Sequence, residues 1–184
     1  MKYKTVFLLS FILVIVSAAG CLNDPHEKHF DFSSLNPLNK DIEPYQFHPE
    51  NIPSGEDVVV YRPSFNFSLP AYQYESLVPE SDMAFYGTVQ TINTSEWLVI
   101  DEKFNFIITP VIFEIDDLIK GENTETVVVT IWGGQIDDYI MTDYSYPLIW
   151  DLREGQQYLV YLKKDGNTGN YYIMAPTGLF VVLN

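Results

Sequence analysis

The side chains able to do chemistry in this 184-residue chain are unevenly placed. Cys21, the single cysteine, and the histidines His26, His29 and His48 all precede Asp57, and from Tyr72 onward the sequence has neither His nor Cys. That excludes Ser-His-Asp and Cys-His catalysis, and histidine-based metal hydrolysis, from everything after Tyr72. His26 and His29 are spaced to share a metal, but two imidazoles without a third ligand make a poor site, so both are read as solvated and no cofactor is expected. What remains is carboxylate chemistry. Asp116/Asp117 and Asp137/Asp138 are adjacent pairs, and neighbours on a strand point to opposite faces, so neither pair forms a two-carboxylate site by itself.

One stretch asks for a function. Gly133 to Gly155, GGQIDDYIMTDYSYPLIWDLREG, is a connection of about twenty residues, longer than loops usually run without a role. It sets Tyr139, Tyr144, Tyr146 and Trp150 beside Asp137, Asp138, Asp143 and Asp151. Aromatic faces next to carboxylates suit carbohydrate or peptide contacts. The competing reading is structural: Ile136, Ile140, Trp150 and two of the tyrosines would cap one end of a barrel. Two smaller motifs are weaker. The Asp165–Asn170 run DGNTGN lacks the spaced carboxylates of a calcium loop and reads as a hairpin turn. Asn66-Phe67-Ser68 and Asn93-Thr94-Ser95 are glycosylation sequons, meaningful only in a host that glycosylates exported proteins.

The lone cysteine has its own context. Residues 1–20, MKYKTVFLLSFILVIVSAAG, combine a basic start at Lys2 and Lys4 with an apolar run from Val6 to Val16 that is short for a bilayer span, which is the pattern of a signal peptide. The small residues Ala18, Ala19 and Gly20 lead into Cys21, and SAAGC resembles the lipobox of prokaryotic lipoproteins. That resemblance implies cleavage before Cys21, lipidation of its thiol and a membrane anchor on the extracytoplasmic face. Two acyl chains anchor stably where one does not. An ordinary exported protein with an incidental Cys21 is the competing reading, but a free thiol in an oxidising compartment is a liability.

The formal net charge of −15 makes nucleic acid an improbable partner, because phosphate binding needs a basic stripe and none is present. The same acidity keeps a tethered domain soluble and away from anionic headgroups. With 13 Tyr, 12 Phe and 3 Trp beside many Val, Ile and Thr, the composition favours strands.

Three segments are expected. After the leader, residues 21–56 carry five prolines, scattered charges and no sustained apolar period, so they read as the lipidated N-terminus and a flexible, disordered tether spanning on the order of 30 Å. Residues 57–184 read as a β-barrel domain. Within it DVVVYRP reads as a short strand, and PAYQYESLVPESD as a one- or two-turn helix that stops at Pro79. MAFYGTVQTI is a strand with Phe85, Gly87 and Val89 on one face, and EWLVID returns against it. In FNFIITPVIFEIDDLIKG the apolar phase flips at Thr109-Pro110, from Phe104, Phe106 and Ile108 to Val111, Phe113 and Ile115. A flip of this kind needs a bulge or a strand that leaves one sheet for another. ETVVVTIW and GQQYLVYLKK alternate cleanly, and YYIMAPTGLFVVL supplies one or two closing strands. The sum is a mainly β chain, a small closed barrel with one short helix.

In order, SDMAFYGTVQTI, VIFEIDDLIKGE, VVVTIWGG, EGQQYLVYLKKDG and APTGLFVV resemble a recurring extracytoplasmic domain similar to the netrin-like barrels, the OB-type fold of the tissue inhibitors of metalloproteinases. The likeness runs from about Tyr72 to Asn184. Netrin-like inhibitors use disulfides and an N-terminal cysteine packed on the barrel to chelate a target's zinc. Here Cys21 lies far upstream and the barrel region has no cysteine, so that mechanism does not carry over. The expected function is a lipid-anchored, non-enzymatic binding or envelope-interaction module, with an envelope protein or glycan as partner and Asp137, Asp138, Tyr139, Tyr144, Tyr146 and Trp150 as its contact residues. The alternative is a carboxylate-dependent hydrolase acting on envelope glycan, which requires one carboxyl of raised pKa beside one that stays ionised.

Overall fold

The alternating runs form strands that close on themselves. The computed structural model describes residues 32–54, 59–61, 73–99, 105–142, 148–174 and 177–183. Its strands are β1 (Ile42–Pro44), β2 (Val59–Tyr61), β3 (Met83–Ile92), β4 (Glu96–Val99), β5 (Asn105–Lys120), β6 (Thr126–Trp132), β7 (Gly134–Ile136), β8 (Tyr139–Met141), β9 (Gln157–Lys164), β10 (Tyr171–Ile173) and β11 (Leu179–Val182). The helix α1 spans Tyr74–Glu80. The leader, Cys21, His26, His29, Asn66, Tyr72, Phe104, Asp143, Tyr144 and Tyr146 lie outside the described residues.

β3, β5, β6, β10 and β9 hydrogen-bond in that order, and β9 returns to β3 through pairs from Met83–Leu162 to Thr88–Gln157, which closes a five-stranded barrel. All contacts are antiparallel except β6 with β10, which run parallel. Counted along the barrel the order is first, second, third, fifth, fourth, the Greek-key circuit of an OB-type barrel. Closure leaves no free edge on these five strands where they pair. Inside sit Phe85, Val89, Val111, Phe113, Val127, Val129, Ile131, Tyr158, Val160 and Leu162, all buried. The period-2 pattern of β6 and β9 named the inward residues correctly. β9 is buried on both faces, however, because Leu159 and Tyr161 point outward into a second layer.

That second layer corrects the tether. Residues 32–54 fall within the span expected to be a loose linker, yet they pack on the barrel, and the compact unit begins at Phe32. Leu35 is 1% exposed, and its carbonyl accepts the Tyr161 hydroxyl at 2.6 Å. The Asn36 side chain closes a turn on Lys40, donating to its carbonyl at 2.6 Å and accepting its N–H at 3.0 Å, and it also takes the Tyr86 hydroxyl. β1 then pairs with β11 from Ile42–Val182 to Pro44–Phe180. Single anchors spaced several residues apart hold this strap, and no apolar period betrays it.

Two further expectations change. β4 does not turn back on β3; it continues beyond Asn93–Ser95 along the same edge of β5, with Ile92 facing Val111 and Glu96 facing Ile108. The phase flip at Thr109-Pro110 is not a slip, since β5 and β6 stay in register from Ile108–Trp132 to Glu114–Thr126. Phe106 to Thr109 are buried consecutively because a second sheet, β2-β8-β7, includes residues packed on this part of β5: Phe106, Ile107 and Met141 form a satellite core with Leu98, Trp132 and Ile136. The register shifts lie instead between β3 and β5, at Ala84/Phe85, Tyr86/Gly87 and Val89/Thr91, where they bend the long β5 around the barrel. α1 matches its expected place. Leu77 is buried, but the helix runs one residue past Pro79, whose missing N–H gives up one intrahelical bond.

Candidate functional site

The connection from Gly133 to Gly155 is not an open loop. It folds into the β7–β8 hairpin and a 3₁₀ turn at Leu148–Trp150. A short relay seats the hairpin: the Thr109 hydroxyl donates to the Gly133 carbonyl at 2.7 Å, Ser95 Oγ lies 2.8 Å from Thr109 Oγ1, and the Gln135 N–H donates to Ser95 Oγ at 3.2 Å. Gly134 is required at this crossing. Its φ is +140°, and a Cβ there would collide with Ser95 Oγ and Thr109 Oγ1. Asp137 and Asp138 form the two-residue turn between β7 and β8, with Asp137 in the left-handed region at φ 51°.

The structure divides the expected contact residues. Asp137, Asp138 and Tyr139 are exposed at the hairpin, whereas Trp150 packs against the main core. Ile140 and Met141 are fully buried and Ile136 packs in the satellite core, which agrees with the structural reading for the aliphatic residues. Of the tyrosines that reading counted on, Tyr139 is exposed and the others lie outside the described residues. A residue the sequence reading passed over joins the outward side. Trp97 of β4 lies edge-to-face with Tyr139, ring centroids 6.2 Å apart and planes at 67°. Trp97 is 45% exposed and Tyr139 49%, and Val99, two residues along β4, is 67% exposed. Trp97 was legible only as a strand residue, because its partner lies 42 positions away and meets it through the Ser95–Thr109 relay.

A concavity lies where the strap crosses the start of β9. This cleft of about 320 Å³ is lined by Glu43, Tyr45 and His48 of the strap and by Asp151, Arg153 and Tyr158, among others. Asp151 accepts from the Tyr45 hydroxyl at 2.5 Å, the His48 N–H at 3.2 Å and Asn51 Nδ2 at 2.6 Å, so its oxygens already serve as a latch. Burial, and then the Asp151 carboxylate, push the Tyr45 phenol well above its usual range. Arg153 turns back to the Trp150 and Leu152 carbonyls at 2.7 and 2.9 Å.

A general acid would need a carboxyl held above its ordinary pKa. Asp82 and Asp165 shift the other way. The Lys164 backbone N–H, and then Lys163, hold Asp82 down; the N–H groups of Thr168 and Asn167 hold Asp165 down within its hairpin turn. Asp116 and Asp117 depart from the strand rule, because the register shift beside them lets both reach Gln157's surroundings. Asp116 accepts Gln157 Nε2 at 2.6 Å and Thr88 Oγ1 at 2.9 Å, while Asp117 pairs with Lys40 at 3.0 Å. Both are occupied by structural donors.

Among the described residues no group of three His, Cys, Asp or Glu is placed to hold a metal ion, and no helix is long and apolar enough to cross a membrane. His48 is exposed, with Nδ1 3.3 Å from Glu50. Asn93 of the second sequon is exposed, while Ser95 is tied into the relay. No family model, no curated protein and no solved structure matches this chain.

Proposed function

We propose that this chain is a lipid-anchored, extracytoplasmic binding module without catalytic activity, whose barrel presents the β7–β8 hairpin to a partner in the cell envelope. The observation that carries the binding half is the exposed Trp97–Tyr139 pair on a seated hairpin: two large aromatic side chains left in solvent beside an otherwise well-filled core. The anchoring half rests on SAAGC and the leader before it. The OB-type strand order supports the resemblance to netrin-like barrels, and barrels of the OB type bind through a strand face and the loops that flank it.

Metabolic labelling with a lipid precursor tests the anchor: the parent chain is labelled and membrane-bound, and Cys21→Ala is neither. Equal labelling of the variant removes the lipoprotein reading. The binding half is tested by retention on the isolated envelope fraction. Trp97→Ala/Tyr139→Ala loses retention while keeping its melting midpoint, since both rings are half in water. A variant that melts far lower yet is still retained where folded would make the pair structural. The hydrolase alternative finds Glu43 and Asp151 lining one cleft, but with Asp151 engaged by three donors it lacks a free second carboxylate.

A further inference from the structure

Resting on the binding-module reading, we propose that the Trp97–Tyr139 face docks a lysine- or arginine-bearing segment of a partner protein. Ring geometry separates the two partner classes that aromatic and acidic side chains suit. A sugar ring stacks flat on an aromatic face, and planes 67° apart offer it one face at a time. A side-chain cation needs only one negative ring face within about 6 Å of its centroid, and carboxylates beside that ring add to the attraction.

Charge points the same way. Asp137 and Asp138 form the tip immediately before Tyr139, both exposed, and no described cation pairs with either. The described cations are engaged elsewhere. Lys40 holds Asp117, Lys163 holds Asp82, Lys120 donates to the Val78 and Pro79 carbonyls, Lys164 lies over the Tyr171 ring, and Arg153 caps its own turn. In a chain of formal charge −15, the hairpin therefore carries an exposed aromatic pair and, at its tip, two exposed carboxylates with no described counter-ion. Val99 adds apolar surface along β4 for the stem of a long basic side chain.

The test uses the full lipidated chain in phosphatidylcholine nanodiscs. The probe is a fluorescent Gly-Arg repeat peptide, with its citrulline counterpart as an uncharged isostere. Anisotropy is read at about 0.02 M and about 0.3 M salt. The arginine peptide binds, weakens at high salt, and loses roughly two- to thirty-fold in affinity with Trp97→Ala, with Asp137→Asn/Asp138→Asn, and with citrulline. Trp97→Phe recovers part of the loss. Melting midpoints of all three variants match the parent, so a folding defect is excluded directly. Equal binding of the citrulline peptide, or affinity indifferent to both the ring and the carboxylates, overturns the proposal. Envelope retention then separates the two readings. If Trp97→Ala/Tyr139→Ala abolishes retention and soluble oligosaccharide from the fraction competes where the arginine peptide does not, the occupant is a glycan: the binding module stands and the cationic partner falls. If retention survives that double variant, both fall.

Discussion

The Tyr45 hydroxyl donates to Asp151 Oδ2 at 2.5 Å across 106 residues of sequence, and it fastens the N-terminal strap to the loop that leads into β9. Asn51 and the His48 N–H converge on the same carboxylate. Removing the acceptor strands two half-buried donors and an exposed one at once, whereas removing one donor leaves the others in place. Asp151→Ala therefore costs about 2–3 kcal/mol in urea unfolding and Tyr45→Phe about 1 kcal/mol. Equal losses would mean that the carboxylate is not shared.

The strap also makes Leu35 a core residue. A leucine in a flexible linker tolerates truncation, but this one is 1% exposed beneath the Tyr161 hydrogen bond. Leu35→Ala is expected to cost about 2–5 kcal/mol. A loss below about 0.5 kcal/mol, the usual surface range, would return these residues to the tether.

Gly134 fixes the hairpin that carries the candidate site. Alanine there must relieve overlap with Ser95 Oγ and Thr109 Oγ1 and adopt φ +140° as well. Gly134→Ala should cost at least about 1–3 kcal/mol and should also weaken envelope retention, because β7 and β8 shift and Tyr139 leaves Trp97. Gly155→Ala, with nothing within 4 Å of its Cβ, is the comparison for positive φ alone (φ 79°). If the two variants behave alike, close approach at Gly134 is not what seats the hairpin.

These sites show why parts of the molecule were legible in the sequence and others were not. Val127, Val129 and Ile131 alternate in the sequence and in space, because β6 is buried on one face only. Phe106 to Thr109 break that rule, since the covering hairpin comes from residues 134–141, and no local period reports a distant cover. Asp116 and Asp117 escape the opposite-face rule where β5 slips past β3. The candidate site was half visible for the same reason. Tyr139, Asp137 and Asp138 stood out together in one stretch, whereas Trp97 joins them only through the fold.

Alkaline pH tests the buried tyrosines. Burial raises Tyr161, with a further push from Tyr86; burial and Asp151 raise Tyr45; and burial raises Tyr86 and Tyr158 as well. A phenol whose folded pKa exceeds its unfolded value of about 10 keeps its proton in the folded state while the unfolded chain gives it up. The stability it contributes is complete below pH of about 10 and is lost as pH climbs toward the folded value. Urea unfolding measured from about pH 8 to about pH 11.5 should therefore show constant stability followed by a steepening fall, with tyrosinate absorbance rising as the far-ultraviolet signal collapses. Tyr161→Phe separates this linkage from general alkaline damage. It lowers stability at neutral pH by about 1 kcal/mol, because the Leu35 carbonyl loses its donor, and it makes the alkaline fall shallower by up to one proton. An unchanged slope in the Phe variant would show that Tyr161 does not stay protonated in the folded barrel and that the strap does not keep water from it.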